Sequence, residues 1–232
     1  MPYRRFPKTD TARLKSLRVL LDNPDVYAAN RKFIDMDIVN RAQGYYDRLK
    51  TLSAQFMLAY EAQMANYRLI AKPQKNMLMF VLHFMKVLAM SVERGEIKKT
   101  VVSECYGFDN LDEVLRLLHN VEDAYRLTPK IIEGEKKRIA AGGRPIYNPT
   151  VGMVATHFDI FKDIYEQQGI LNDKADRKLE ELKALRAELD SLMVDIWNKV
   201  EEHFASLPPE TRFDECRRYG LIYYYRTGEQ KL

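Results

Sequence analysis

The stretch LIAKPQKNMLMFVLHFMKVLAM, residues 69–90, decides the fold. Before it, Tyr45, Leu49, Leu52, Phe56, Tyr60, Met64 and Tyr67 are spaced 4, 3, 4, 4, 4 and 3. That is an amphipathic helical stripe held for six turns. After it comes the almost wholly apolar run 77–92, which Gly95 ends. Pro73 stands between the two. It either kinks one very long helix or turns the chain back as a hairpin of two.

Residues further on bear on that choice, because the chain repeats itself. ECYGF at 104–108 returns as ECRRYGL at 215–221. Phe84, Lys86, Val87, Gly107 and Phe108 lie 113 residues before Trp197, Lys199, Val200, Gly220 and Leu221. The two cysteines are offset by 111, so two small indels separate the copies. Asp35 falls opposite Asn148. The counterpart of Pro73 lies near Arg186, within LKALRAELDSL, which has no breaker. The second copy reads as one helix, and the first follows it with a kink at Pro73. Such a helix of about 55 residues would be about 80 Å long. The hairpin stays as the rival.

The remaining punctuation places the other elements. Thr9 or Asp10 caps a short helix through Leu21, with Leu14, Leu17 and Leu21 on one face. Asn23-Pro24 starts a short turn. The first long helix begins near Asp37. Residues 96–108 read as loop or a short extended piece. A helix from Leu111 continues, bent near Pro129, to Ala141. The next begins at Pro149 and runs through Leu179, Leu182, Leu185, Leu189, Leu192, Ile196 and Val200 to Phe204, and Pro208-Pro209 ends it. Only LIYYY, 221–225, suggests a strand.

Between the copies lies IIEGEKKRIAAGGRPIYNPT, residues 131–150. Its paired glycines and basic run resemble a phosphate cradle. No strand precedes it, so it lacks the setting of a dinucleotide or P-loop fingerprint. The structural reading is a joint. Ile131, Ile132 and Ile139 hold the helix down, and Gly142 and Gly143 permit a left-handed exit. Asn148-Pro149 then caps the next helix. The functional reading is an anion site from Arg138, Arg144 and Tyr147 at that helix start.

Composition bounds the rest. The 232 residues carry a net charge of +4, are 46% hydrophobic and 30% charged, and so can build a core. The run 77–90 is shorter than a bilayer span and holds His83 and Lys86, which predicts a buried helix, no membrane association and a cytoplasmic protein. Cys105 and Cys216 do not make a disulfide scaffold. They read as small packing residues, or more sharply as a redox pair. The residues three before His83, His119, His157 and His203 are Phe80, Arg116, Val154 and Val200, so no Glu-x-x-His metal motif exists. No cofactor and no catalytic residue is expected. YRRFPK and RRYGLIYYYRTGEQK interleave basic and aromatic residues at the two ends. They could stack on single-stranded nucleic acid. The plainer reading is a strand packed over the bundle end, burying Ile222 and Tyr224 or Tyr223 and Tyr225.

At IIEGEKKRIAAGGRPIYNP the sequence resembles a family of uncharacterised all-helical proteins of Bacteroidota. YRRFPKTDTARLKSL, FMKVLAMSVERGEIKKTVVSECYGF and DIWNKVEEHFASLPPETRFDECRRYGLIYY carry the same likeness. The resemblance implies a fold type and a bacterial source, and no activity. Pro73 and the cysteines read as departures from that pattern.

The expectation is therefore an all-α protein, an elongated bundle of long helices in a single domain, 1–232. Two similar halves, about 35–108 and 148–221, are joined by the 111–141 helix. The expected role is non-enzymatic, as an interaction or structural protein with a protein partner or itself. A nucleic-acid-associated protein is the second reading. An enzyme with an inter-helix pocket around Glu133, Arg144 and Tyr147 is the third.

Overall fold

The computed structural model describes residues 3–28 and 33–227. In order these form β1 (Tyr3–Arg4), α1 (Asp10–Leu21), a 3-10 turn (Pro24–Val26), α2 (Met36–Glu93) and α3 (Lys99–Tyr106). Then follow α4 (Leu111–Leu117), α5 (Val121–Ala140), α6 (Val151–His203), α7 (Pro209–Arg218) and β2 (Tyr223–Tyr224). Of the described residues 77% are helical, which makes this an all-α protein.

Pro73 lies inside α2, which runs unbroken for 58 residues. The hairpin reading is therefore excluded. A proline within a helix removes one backbone hydrogen bond and crowds the preceding turn. Pro73→Ala is expected to raise stability by about 1–3 kcal/mol, seen as a higher urea midpoint. The second long helix, α6, runs for 53 residues.

Three boundaries differ from the expectation. Residues 99–106 are helical, not extended. The 111–141 helix is two, broken at His119 and Asn120, where Asn120 accepts from the amides of Glu122 and Asp123 to start α5. Pro129 sits within α5 without ending it. Finally, α6 stops at His203, and Pro208-Pro209 opens α7, with Pro209 in its first turn. Thr9 and Asn23 cap as the sequence suggests, each accepting from an amide of the following turn.

The chain forms two compact units. Unit 1, Met1–Tyr60 with Lys174–Leu232, holds β1, α1, the first part of α2, the last part of α6, α7 and β2. Its core joins Leu17 and Leu20 of α1, Leu49 of α2, and Leu182, Leu189, Trp197 and Val200 of α6. Cys216, Tyr219 and Leu221 complete it. Unit 2, Glu61–Asp173, holds the rest of α2, α3, α4, α5 and the start of α6. Phe84, Met85 and Leu88 pack there with Tyr106, Leu118, Ile131 and Phe161. By length and composition alone, α2 could cross a membrane over an 18-residue window. In unit 2 that segment buries Met77, Val81, Phe84, Met85 and Leu88.

The long stripe on α2 is only half interior. Leu49 is buried and Phe56 partly so, but Tyr60, Met64 and Tyr67 are exposed. Beyond residue 60 the buried face moves to Asn66 and Ile70. Asn66 donates to Gln168 at 2.8 Å and to the carbonyl of Ile164 at 3.1 Å. A polar layer thus joins α2 to α6 inside unit 2, its amides satisfied as burial requires.

Candidate functional site

Two places combine cations, aromatics and open space. The first is the 131–150 segment of unit 2. On α5, Ile131, Gly134, Glu135 and Arg138 face inward together. Gly134 is required there: a Cβ would stand 2.4 Å from Tyr106 Cδ1 and 2.8 Å from Tyr106 Cα. This close approach lets the Tyr106 hydroxyl donate to Glu135 Oε2. Arg138 donates from Nε and Nη2 to the same carboxylate, each at 2.8 Å. Ile146 N donates to Oε1 at 3.1 Å, and Arg138 Nη2 also reaches the carbonyl of Arg144 at 2.7 Å. The pair is buried, with Glu135 fully enclosed. Burial chiefly, and then the adjoining carboxylate, raises the Tyr106 hydroxyl well above its ordinary range. The Glu135 hydrogen bond holds Arg138 firmly protonated against the cost of its burial.

Among the anion-site candidates, then, Arg138 is turned inward and neutralised, and serves the chain's own carboxylate. Arg144 and the widely exposed Tyr147 line a groove of about 840 Å³ with Lys98, Ile97 and Pro145. Glu133 does not line it; it points to solvent near Lys137. The triad of the pocket reading therefore does not converge.

The joint residues divide their work. Gly142 takes φ +90°, the left-handed exit. Gly143 has no such φ; it is needed for space, since a Cβ would lie 2.7 Å from Arg138 Nη1 and 2.8 Å from its carbonyl. Asn148 and Pro149 lie in a turn before α6 and do not cap it. The cap is Thr150, whose Oγ1 accepts from Met153 N at 3.2 Å.

The second place is at the chain ends of unit 1. The two basic-aromatic stretches come together as an antiparallel pair, with Tyr3 opposite Tyr224 and Arg4 opposite Tyr223. Alternation sends each pair to its own face. Tyr223 and Arg4 turn inward onto Glu201. Arg4 Nε and Nη2 bond it at 2.7 and 2.6 Å, and the Tyr223 hydroxyl donates at 2.6 Å. Arg4 also holds Asn198 at 2.8 Å. Tyr223 and Tyr225 are thus the less exposed tyrosines, and Tyr224 is outward. Tyr3 and Tyr224 have ring centroids 5.8 Å apart, and Arg226 covers the Tyr3 ring at 4.3 Å. Beside them a groove of about 660 Å³ is bounded by Arg4, Arg5, Lys8, Thr9, Ile222 and Tyr224.

Glu201 carries a pH consequence. Burial pulls its carboxyl upward, but hydrogen bonds from Arg4 and Tyr223 outweigh this and the net shift is downward. A depressed carboxyl stabilises the fold above the ordinary carboxylate value and loses that contribution as pH falls through its lowered value. The fall in melting temperature between pH 7 and about pH 3 should be smaller in Glu201→Gln than in the parent. An equal fall would remove Glu201 as a contributor. Asp10 is lowered similarly, its burial outweighed by Arg186 and Arg13. Arg186 grips it at 2.6 and 2.7 Å, and Arg13 grips Asp190 with two 2.7 Å bonds, pinning α1 to α6 in unit 1.

Cys216 is fully buried in the core of unit 1, and Cys105 is half-buried beside the core of unit 2; both are free thiols. Burial pushes the Cys216 thiol up, the reverse of what a reactive thiolate needs. The sequence missed Glu135 and Glu201, the acceptors at the centre of both places. For Glu135 a signal existed: residues 131, 134, 135 and 138 fall on one helical face.

Comparison with known proteins finds no matching family model, no matching curated protein and no matching solved structure.

Proposed function

We propose that this chain is a non-enzymatic, cytoplasmic interaction protein, a bundle of two similar halves that self-associates through the exposed apolar residues of its long helices. The observation that carries this reading is on α2. Met57, Leu58 and Tyr60 in unit 1, and Met64, Tyr67 and Leu69 in unit 2, are all exposed. In unit 1 Met57 and Tyr60 are three residues apart, and in unit 2 Met64 and Tyr67 are three residues apart, the spacing of neighbours on one helix face. On α6, Met153, Ile160 and Ile170 add to this apolar surface in unit 2.

What supports the two halves is a register in burial. Ala42 and Val154, Leu49 and Phe161, Ile70 and Leu182, Met77 and Leu189, and Leu88 and Val200 are buried pairs, each 112 residues apart. One constant offset means no indel between α2 and α6. Burial matches Phe84 with Ile196 and Met85 with Trp197, one residue off the pairing by residue type. Leu17 and Leu20 of α1 match Thr128 and Ile131 of α5 at 111. Tyr106-Gly107-Phe108 matches Tyr219-Gly220-Leu221 at 113, with both glycines left-handed. The likeness to all-helical Bacteroidota proteins is part of the same proposal and carries no activity.

The test is light scattering of purified protein across a concentration series. We expect a dimer or larger assembly, and a shift to monomer in Met64→Glu/Tyr67→Glu with helicity unchanged. A parent that stays monomeric at every concentration overturns self-association.

A further inference from the structure

We propose that the terminal two-stranded ribbon and the groove beside it bind single-stranded nucleic acid. The fold sorts the ends by chemistry. One face of the pair is spent inside the protein, on Glu201. The other presents Tyr3 and Tyr224 as neighbouring, partly exposed rings, with Arg226 over one of them. Among the described residues that bound the adjoining groove are Arg5 and Lys8 and no carboxylate; Arg4 also borders it, its guanidinium held by Glu201. The nearby acids are already occupied: Glu201 by Arg4, Asp10 by Arg186 and Asp190 by Arg13. Exposed cations beside partly exposed rings suit a polymer of phosphates and bases. Every base offers a face to a tyrosine, so recognition needs no particular sequence. An acidic peptide would meet the cations but leave the rings unused. A volume of about 660 Å³ has room for one or two nucleotides. The ribbon is two residues per strand, so it offers rings to unstacked bases and no element for a duplex groove.

The experiment is fluorescence anisotropy with a labelled 12-residue oligothymidylate and the full chain, at several salt concentrations. Affinity should fall as salt rises, with a log–log slope of about −1.5 to −2 for two to three neutralised phosphates. Tyr224→Ala and Tyr3→Ala should each weaken binding about tenfold while leaving that slope in place. Arg5→Ala and Lys8→Ala should each make the slope shallower by about one contact. Circular dichroism identifies any variant that fails to fold. The milder Tyr224→Leu, which keeps apolar bulk but not the ring, then replaces Tyr224→Ala and should weaken binding in the same direction. Three results overturn the proposal. They are no binding at low salt, tyrosine variants that bind like the parent, and polyglutamate that displaces the oligonucleotide at equal charge, which would assign the surface to acidic proteins.

Discussion

Glu135→Ala is expected to destabilise unit 2 by about 3–5 kcal/mol. Glu135 accepts from Tyr106, twice from Arg138 and once from the Ile146 amide, in a fully enclosed position. Its removal leaves a buried guanidinium that keeps the Arg144 carbonyl but has lost its carboxylate. It also strands a buried hydroxyl and a backbone amide. An uncompensated buried charge costs far more than the net worth of the pair that held it. For a chain of this length the loss lowers the melting temperature by about 2–4 °C per kcal/mol. The cause can be separated from mere loss of packing. Glu135→Met with Arg138→Met removes both charges while keeping bulk, and should recover most of the stability. If the double variant is as unstable as Glu135→Ala, the charge argument is wrong. Urea unfolding of the single and double variants decides it.

Gly220→Ala should cost about 2–5 kcal/mol, from two separable sources. Gly220 has φ +86°, where a Cβ costs about 1–2 kcal/mol in any surroundings. Here the Cβ would also stand 2.3 Å from the carbonyl oxygen of Ser16, a backbone atom that cannot swing aside. Displacing it would disturb the 2.7 Å bond from Ser16 Oγ to the Gly220 carbonyl. Gly95→Ala is the control. Its φ is +74° but nothing lies within 4 Å of the added carbon. That variant should lose only the conformational share. Equal losses in the two variants would mean that the contact of Gly220 with α1 contributes nothing.

How far the sequence foretold this depends on what each segment's pattern measures. Periodicity found α2 and α6 because their apolar spacing persists over many turns. Lack of a breaker opposite Pro73 favoured continuity, and α2 is continuous. Periodicity failed for α3. KTVVSECY is eight residues, with Thr100, Val101 and Val102 favouring extended backbone and no side-chain cap at Lys98. Packing of Val102 and Tyr106 into the core of unit 2 overrides that preference. The α4–α5 break was hidden because Asn120 marks it without glycine or proline. At the 131–150 joint the glycines were legible and their separate reasons were not. Gly142 answers to a torsion, Gly143 to the space Arg138 takes. Arg138 itself read as part of a basic run and a candidate anion ligand. Its shared face with Glu135 was readable from spacing, and only the third dimension shows that both are enclosed with the crossing loop. The apolar stripe at Tyr60, Met64 and Tyr67 marks a helix correctly yet faces outward. Spacing shows that a face exists and says nothing of what covers it.

The central claim is that α2 is one helix through Pro73, since the core of unit 2 draws on both sides of that residue, with Ile70 before it and Met77 after it. Pulsed electron resonance between spin labels tests it most directly. The labels go on Glu61→Cys and Lys86→Cys, both exposed, with Cys105 and Cys216 replaced by alanine. These positions are 25 residues apart and nearly equidistant from Pro73. A continuous helix places them about 38 Å apart along its axis. A distance distribution centred near about 10 Å, the spacing of two packed helices, would mean a hairpin at Pro73 and would contradict the account.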